Sequence, residues 1–218
     1  MKKLLLLFLC GCFALMNSQS TNTADKLLEE IQKLKQTDKN LTLVWWIPTE
    51  YWRIAVQDKN ITESKHMEYL ENLLNDYTIV AAGDYSLDSN DGVVEFKVNS
   101  VTNNVTFYGL NGDVISPLED SEINGQLLTL VNNTLKPLFI QMLGKMGSGL
   151  EFFIYNNRKN GTRIINPNQS GSFKIDVKGE VFKWDLPLVS LMKEKVCPVD
   201  QAQMQGNWMY CPFHGSKL

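Results

Sequence analysis

Clustered positive charge is what this chain most clearly lacks. Its 21 lysines and arginines are outnumbered by 24 acids, for a formal charge of −3, and no stretch gathers the basic residues into a block. Neutralising a phosphate backbone needs such a block, so nucleic acid is excluded as a partner. Histidine is almost as scarce. Only His66 and His214 are present, and with His214 placed in the tail discussed below, neither is placed for a serine or cysteine triad. Long apolar runs are missing after the first twenty residues. The richest, Leu127 to Leu143, is interrupted by Asn132, Asn133, Lys136 and Pro137, which excludes a transmembrane span in the body of the chain. No repeat of about 20 to 50 residues is present. Gly144-Lys145-Met146-Gly147-Ser148-Gly149 lacks the Gly-x4-Gly-Lys-Ser/Thr order and leads into a strand-like segment, so it is not a phosphate loop.

The first twenty residues carry an address. Lys2 and Lys3 form a positive start, Leu4 to Met16 is almost wholly apolar, and Ser18-Gln19-Ser20 places small residues where a signal peptidase reads them. The pattern predicts a signal peptide over 1–20 and export to the periplasm or the extracellular space as a secreted protein. A lipoprotein signal is the competing reading, because Leu9-Cys10-Gly11-Cys12 fits Leu-x-Gly-Cys with Cys12 as the lipidated residue. Without Lys2 and Lys3 the formal charge falls from −3 to −5. Some 198 residues then remain, enough for one domain with a full core. Apolar content of 44 % and charged content of 21 % are those of a globular chain and not a disordered one. Six Asn-x-Ser/Thr sequons, starting at Asn40, Asn60, Asn104, Asn132, Asn160 and Asn168, matter only in a eukaryote, and the leader has a bacterial look.

The hydrophobic period changes along the body. Ala24, Leu27, Leu28, Ile31 and Leu34 follow Thr23 at helical spacing and predict a helix over 24–36. Leu41 to Ile47 ends at Pro48 and predicts a buried strand. Trp45 and Trp46 are adjacent in it, so both faces must be covered or one tryptophan must sit at a site. Thr49 to Val56 is expected to be helical. Asn60 and Glu63 resemble a capping box that opens a helix along Met67, Leu70, Leu74 and Tyr77. Strands are expected at 78–82, 93–98, 105–108 and 151–156. Ser116-Pro117-Leu118-Glu119 has the form of a helix start, continuing to about Leu143 with a break or bend at Asn124-Gly125 or Pro137. Phe173, Ile175 and Val177 alternate with Lys174, Asp176 and Lys178 before a Lys178-Gly179 turn, predicting a hairpin over 173–185. The sum is a single α+β domain over 21–195, a mixed sheet with helices packed on it and a strand-rich final third.

The remaining residues, 196–218, carry the most specific pattern. Cys197-Pro198-Val199-Asp200 is followed after ten residues by Cys211-Pro212-Phe213-His214-Gly215, and these are the only cysteines outside the leader. Thiolate, carboxylate and imidazole are all admissible metal ligands, and the shared x2 spacing lets each pair face one ion from a tight turn. Phe213 would shield such a site and Trp208 would pack beneath it. A Cys197–Cys211 disulfide is the alternative, favoured by an oxidising compartment. Its loop of thirteen intervening residues would stabilise by about 3 kcal/mol on the chain-entropy model. Cys-Pro-x-Cys-Gly is the metal-holding turn of zinc ribbons and rubredoxins, and the tail resembles a degenerate zinc ribbon over this stretch. The resemblance implies a structural zinc, with the ligand roles carried to Cys197 and Cys211, while Asp200 and His214 replace the second cysteine of each turn. The whole chain, with Trp45-Trp46-Ile47-Pro48-Thr49-Glu50-Tyr51-Trp52 and its Cys-Pro-Phe-His-Gly ending, resembles exported bacterial proteins, a likeness that implies no activity.

Two further constellations stand out. Glu63 and His66 stand one turn apart, where a solvated face with Lys65, Glu68 and Glu71 explains them more cheaply than a metal or proton relay. Trp45, Trp46, Tyr51 and Trp52 are the densest aromatic group. They read as core, with Glu50 and Arg53 on the outer side of the helix; a surface of Trp46, Glu50, Tyr51 and Trp52 for a protein or carbohydrate ligand is the rival. The expectation is a non-catalytic binding or envelope-associated protein with a closed metal or disulfide site. The alternative is a secreted hydrolase with a cleft near Trp45–Trp52. An open pocket with converging polar groups there would favour the enzyme; buried aromatics, or a flat exposed patch of them, would favour the binding protein.

Overall fold

The computed structural model describes residues 23–57, 64–90 and 93–218. The leader, with Cys12, and the Asn60/Glu63 capping box lie outside the described residues. The fold is α+β, built on antiparallel sheets.

Strand β3 (Tyr77–Asn90) is the spine of the larger sheet. Strand β2 (Asn40–Ile47) runs along one side of it, with Trp45 opposite Ala81 and Trp46 opposite Val80. Strand β1 (Gln32–Gln36) closes that edge. Along the other side, β7 (Glu151–Asn156) covers the first half of β3, and β4 (Val93–Asn99) covers the second.

Every residue of β2 from Leu41 to Ile47 is buried, so this central strand is covered on both faces and reads as a continuous apolar run. One face, with Val44, Trp46, Val80 and Tyr155, packs on a second sheet of order β11-β10-β5-β6. Those strands are β5 (Val105–Tyr108), β6 (Val114–Ile115), β10 (Gly171–Val177) and β11 (Glu180–Leu186). They contribute Phe107, Phe173, Ile175 and Trp184 to the core between the sheets. The opposite face, with Leu43, Trp45, Ile79 and Ile154, receives Leu127, Val131, Leu135 and Phe139 from a helical segment. Both tryptophans are thus covered, at 4 % and 1 % exposure.

Two elements differ from the sequence expectation. Helix α1 is Thr23–Ile31 and stops there, because residues 32–36 pair with β2 instead. Leu34 continues the helical spacing but also fits a period of two. In the strand it stands opposite Leu43, while Lys33 and Lys35 reach over the rings of Trp184 and Phe182 at 5.8 and 5.3 Å. Pairing and cation–π contact outweigh one more helical turn. The helix start at Ser116-Pro117 is also not realised. Ile115 is paired with Phe107, and the Leu118 N–H donates to Ile154 O at 2.8 Å, which holds this stretch extended. Glu119 and Glu122 form their capping box around a single 3-10 turn, Asp120–Glu122. The helix begins instead at Gly125, where Asn124 Oδ1 accepts the Gln126 N–H at 2.8 Å.

Helices α2 (Thr49–Gln57), α3 (Ser64–Leu74), α4 (Gly125–Leu130) and α5 (Lys136–Leu143) fall where helix was expected, although Tyr77 opens β3 and is not part of α3, and in α5 it is Phe139 and not Leu138 that is buried. The bend expected near Pro137 takes the form of a π turn, Val131–Leu135, in which the Lys136 N–H donates to Val131 O. The wider turn delivers the chain to a residue without an N–H of its own. The hairpin over 173–185 is present as β10 and β11. Its turn residues Lys178 and Gly179 have φ of 54° and 91°, which suits the right-handed strand twist.

A short helix, α6 (Lys145–Ser148), folds back onto α5 so closely that a Cβ at Gly147 would lie 2.0 Å from the Phe139 carbonyl oxygen. The obstacle is backbone and cannot swing aside. Gly147→Ala should therefore cost about 1–3 kcal/mol in urea denaturation, the range for overpacking. A variant within error of wild type would show that the α5–α6 contact is looser than described.

Candidate metal centre

The doubled sequence of the tail is also a doubled conformation. Strands β12 (Lys195–Val196) and β13 (Gln203–Met204) flank the first turn, and a Tyr210–Lys217 bridge flanks the second. In the first, the Cys197 N–H donates to Ala202 O at 2.9 Å and the Gln201 N–H to Cys197 O at 3.0 Å. In the second, the Cys211 N–H donates to Ser216 O and the Gly215 N–H to Cys211 O, both at 2.8 Å. Gln201 and Gly215, equivalent residues, share a left-handed φ of 61° and 64°. Glycine takes that conformation freely; Gln201 holds it at some cost. The repeat runs further than the sequence pattern showed, since the equivalent Met204 and Leu218 both pack with Cys197, Cys211 and Trp208 in a small core of the tail.

These turns bring three of the predicted ligands together. His214 Nδ1 lies 3.4 Å from Cys197 Sγ and 3.5 Å from Cys211 Sγ, and the three ligand atoms all fall within 4.8 Å of one another. Bonds of about 2.3 Å to sulfur and 2.0 Å to nitrogen in a tetrahedron set the sulfur–nitrogen separation at roughly 3.6 Å. The thiol and imidazole donors therefore fit a metal ion, and Cys197, Cys211 and His214 could hold one. Asp200, the counterpart of His214, stands at the rim with Oδ2 3.9 Å from His214 Nδ1 and Oδ1 accepting the Ala202 N–H at 3.0 Å. Ser216 Oγ is 3.8 Å from Cys197 Sγ.

The surroundings favour ionisation of Cys197 and of Asp200. Burial pushes the Cys197 thiol up, but hydrogen bonds from the Asp200 and Val199 backbone and from the Cys211 and Ser216 side chains outweigh it, so its pKa is lowered. The Ala202 N–H, then a hydrogen bond from the Cys197 thiol, hold Asp200 below the usual carboxylate value against burial, with a lesser contribution from the nearby His214. Both cysteines are buried free thiols, so the alternative Cys197–Cys211 disulfide is not the state of this structure. Trp208 does pack beneath the site. Phe213 does not shield it: the ring points outward and is 76 % exposed.

The aromatic segment is divided between core and half-buried positions. Trp45 and Trp46 are core. Tyr51 and Trp52 are half-buried against each other, with ring centroids 5.5 Å apart. Glu50 is not on the outer side of its helix. It is buried and paired with Arg163, Nη1 to Oε1 at 2.6 Å and Nη2 to Oε2 at 3.3 Å. Arg53 pairs with Glu71 at 3.7 Å. Nothing in the local sequence flags Arg163, which arrives from the hairpin of β8 (Arg158–Lys159) and β9 (Thr162–Arg163). An open groove of about 740 Å³ is lined by Lys39, Leu87, Phe96 and Lys145 among others. His66 falls in α3, and Glu63 lies outside the described residues. Among the described residues, no helix is long and apolar enough to cross a membrane.

Fold and site together define an α+β protein with a thiol–imidazole cluster gripped by two like turns near its C-terminus. No family model, curated protein or solved structure matches the chain.

Proposed function

We propose that this is an exported, non-catalytic binding or envelope-associated protein whose tail is closed by a structural zinc ion on Cys197, Cys211, His214 and Asp200. The observation that carries the metal reading is the convergence of both thiols on one imidazole nitrogen, at 3.4 and 3.5 Å. Two thiolates, an imidazole and a carboxylate make a mixed sulfur, nitrogen and oxygen set suited to zinc, and four protein ligands leave no position for water or substrate. The turn repeat supports Asp200 as the fourth, because it occupies in the first turn the place that His214 has in the second. Export rests on the leader, and the non-catalytic reading on the closed site together with the buried aromatics and neutralised Glu50.

The test is intact-mass and metal analysis of the purified mature protein. One zinc per chain, lost on adding chelator and absent from His214→Ala, is the expected result. A mass deficit of about two daltons without zinc would establish a disulfide in its place.

A further inference from the structure

The hydrogen bonds of the tail close on the tail itself. Strands β12 and β13 pair only with each other, and the N–H groups of Cys197, Gln201, Trp208, Cys211, Gly215 and Leu218 all donate to tail carbonyls. Lys195 Nζ likewise donates to Trp208 O at 2.7 Å. Among the described residues, no hydrogen bond or ion pair joins residues 195–218 to the rest of the chain. The apolar packing is separate too, since neither of the two cores of the body contains a tail residue. The tail's own core has three buried members, Cys197, Met204 and Cys211, and two of them are the ligand thiols. Gly206 seats this unit against the segment that leads into it, where a Cβ would lie 2.5 Å from Lys193 O and 2.6 Å from Met192 Cβ.

So small a core cannot offset the conformational entropy of ordering the segment around it, and units of this size hold a fold through a metal or a cross-link. The body has no such need, because its sheets and helices are packed through two cores to which the tail adds nothing. We propose that tail and body are separate folding units, and that metal occupancy decides the order of the tail alone. Loss of the ion melts residues 195–218 into an extended C-terminal segment and leaves the α+β body folded. This rests on the metal reading above and sets the limit of the metal's reach. The device works by exposure. Melting the tail uncovers both thiols and Trp208 and offers a protease a flexible end, which the metal-bound form withholds. A chain starved of metal is therefore open to trimming at its C-terminus, and a loaded one is not.

Limited chymotrypsin digestion of the purified mature protein tests it, read by intact mass with and without 1,10-phenanthroline, after the metal content has been measured. The metal-bound protein should keep its C-terminus. The stripped protein should be cut at Trp208, Tyr210 or Phe213 at least about a hundredfold faster, because cleavage follows the population of the open form. Amide exchange in β2 and β3 should be the same in both states, and one equivalent of zinc should restore the protection. His214→Ala without chelator should behave as the stripped protein does. A stripped tail that stays protected overturns the proposal and leaves the metal reading intact. Exchange in β2 and β3 that accelerates together with the tail overturns it as well, by making the chain one cooperative unit. A protein that holds no metal and takes up none overturns the metal reading, and the proposal with it.

Discussion

Replacing Trp46 by alanine is expected to remove about 3–5 kcal/mol of folding stability, the range for deleting a large buried aromatic. The ring is 1 % exposed between the two sheets. It meets Phe173 edge-on at 4.6 Å and Trp184 at 6.5 Å, and those two stack on each other at 5.1 Å with planes 4° apart. These contacts tie β2 of the first sheet to the β10–β11 hairpin of the second. The hole left by alanine is bordered by rings fixed in mutual contact, so collapse around it is restricted and the cavity term is largely retained. Against a typical total of about 5–15 kcal/mol, the loss is a large part of the whole. Urea denaturation should show a lower midpoint with little change in slope. Trp52→Ala, at a half-buried position, should cost less than half as much. A Trp46→Ala protein within about 1 kcal/mol of wild type would mean that the sheets are not packed through this ring.

The parts of the fold that could be read in advance are those where local pattern and tertiary packing agree. The apolar run of Leu41 to Ile47, with two adjacent tryptophans, requires cover on both faces, and it is sandwiched between helices and the second sheet. Alternation along Phe173, Ile175 and Val177, ending in Lys178-Gly179, specifies a hairpin because pattern and turn chemistry coincide. Misreadings arose where one pattern serves two structures. Leu34 satisfies a helical stripe and a strand alike, and the choice was made by a backbone partner in β2, distant from the helix it would have extended. Ser116-Pro117-Leu118-Glu119 has every local feature of a helix start, yet the pairing of the preceding Ile115 with Phe107 and the Leu118 N–H bond to Ile154 O hold it extended. Local sequence holds no record of either neighbour.

The tail was legible for a different reason. Its ligands sit on turns whose geometry is encoded in a few contiguous residues, so Cys197, Cys211 and His214 converge as their spacing implied. The position of Phe213 was not legible, since the spacing that places a ligand says nothing of which side the neighbouring ring takes. Glu50 shows the limit most plainly. Its helix position implied an outer face, whereas its partner lies on a hairpin 113 residues away.

That pairing makes the second large prediction. Glu50 and Arg163 have side chains only 8 % and 15 % exposed, and the guanidinium grips both carboxylate oxygens. Arg163→Ala would leave a buried carboxylate without its counter-ion, which costs about 3–5 kcal/mol. The pair itself need not stabilise by that amount, because each ion lost its water on folding. The double variant Glu50→Leu/Arg163→Met, similar in volume and free of charge, should therefore fold within about 1 kcal/mol of wild type or be more stable. Arg163→Lys should fall between, keeping a charge but losing the two-pronged grip. Measured by urea denaturation as a cycle, the two sites should couple strongly and non-additively. Equal losses in Arg163→Ala and in the double variant would sink this account. They would show that Arg163 acts by packing its stem against the hairpin, with the charge on Glu50 incidental. The distinction bears on the role of Glu50, which, with both oxygens held by Arg163, ties the start of α2 to the β8–β9 hairpin.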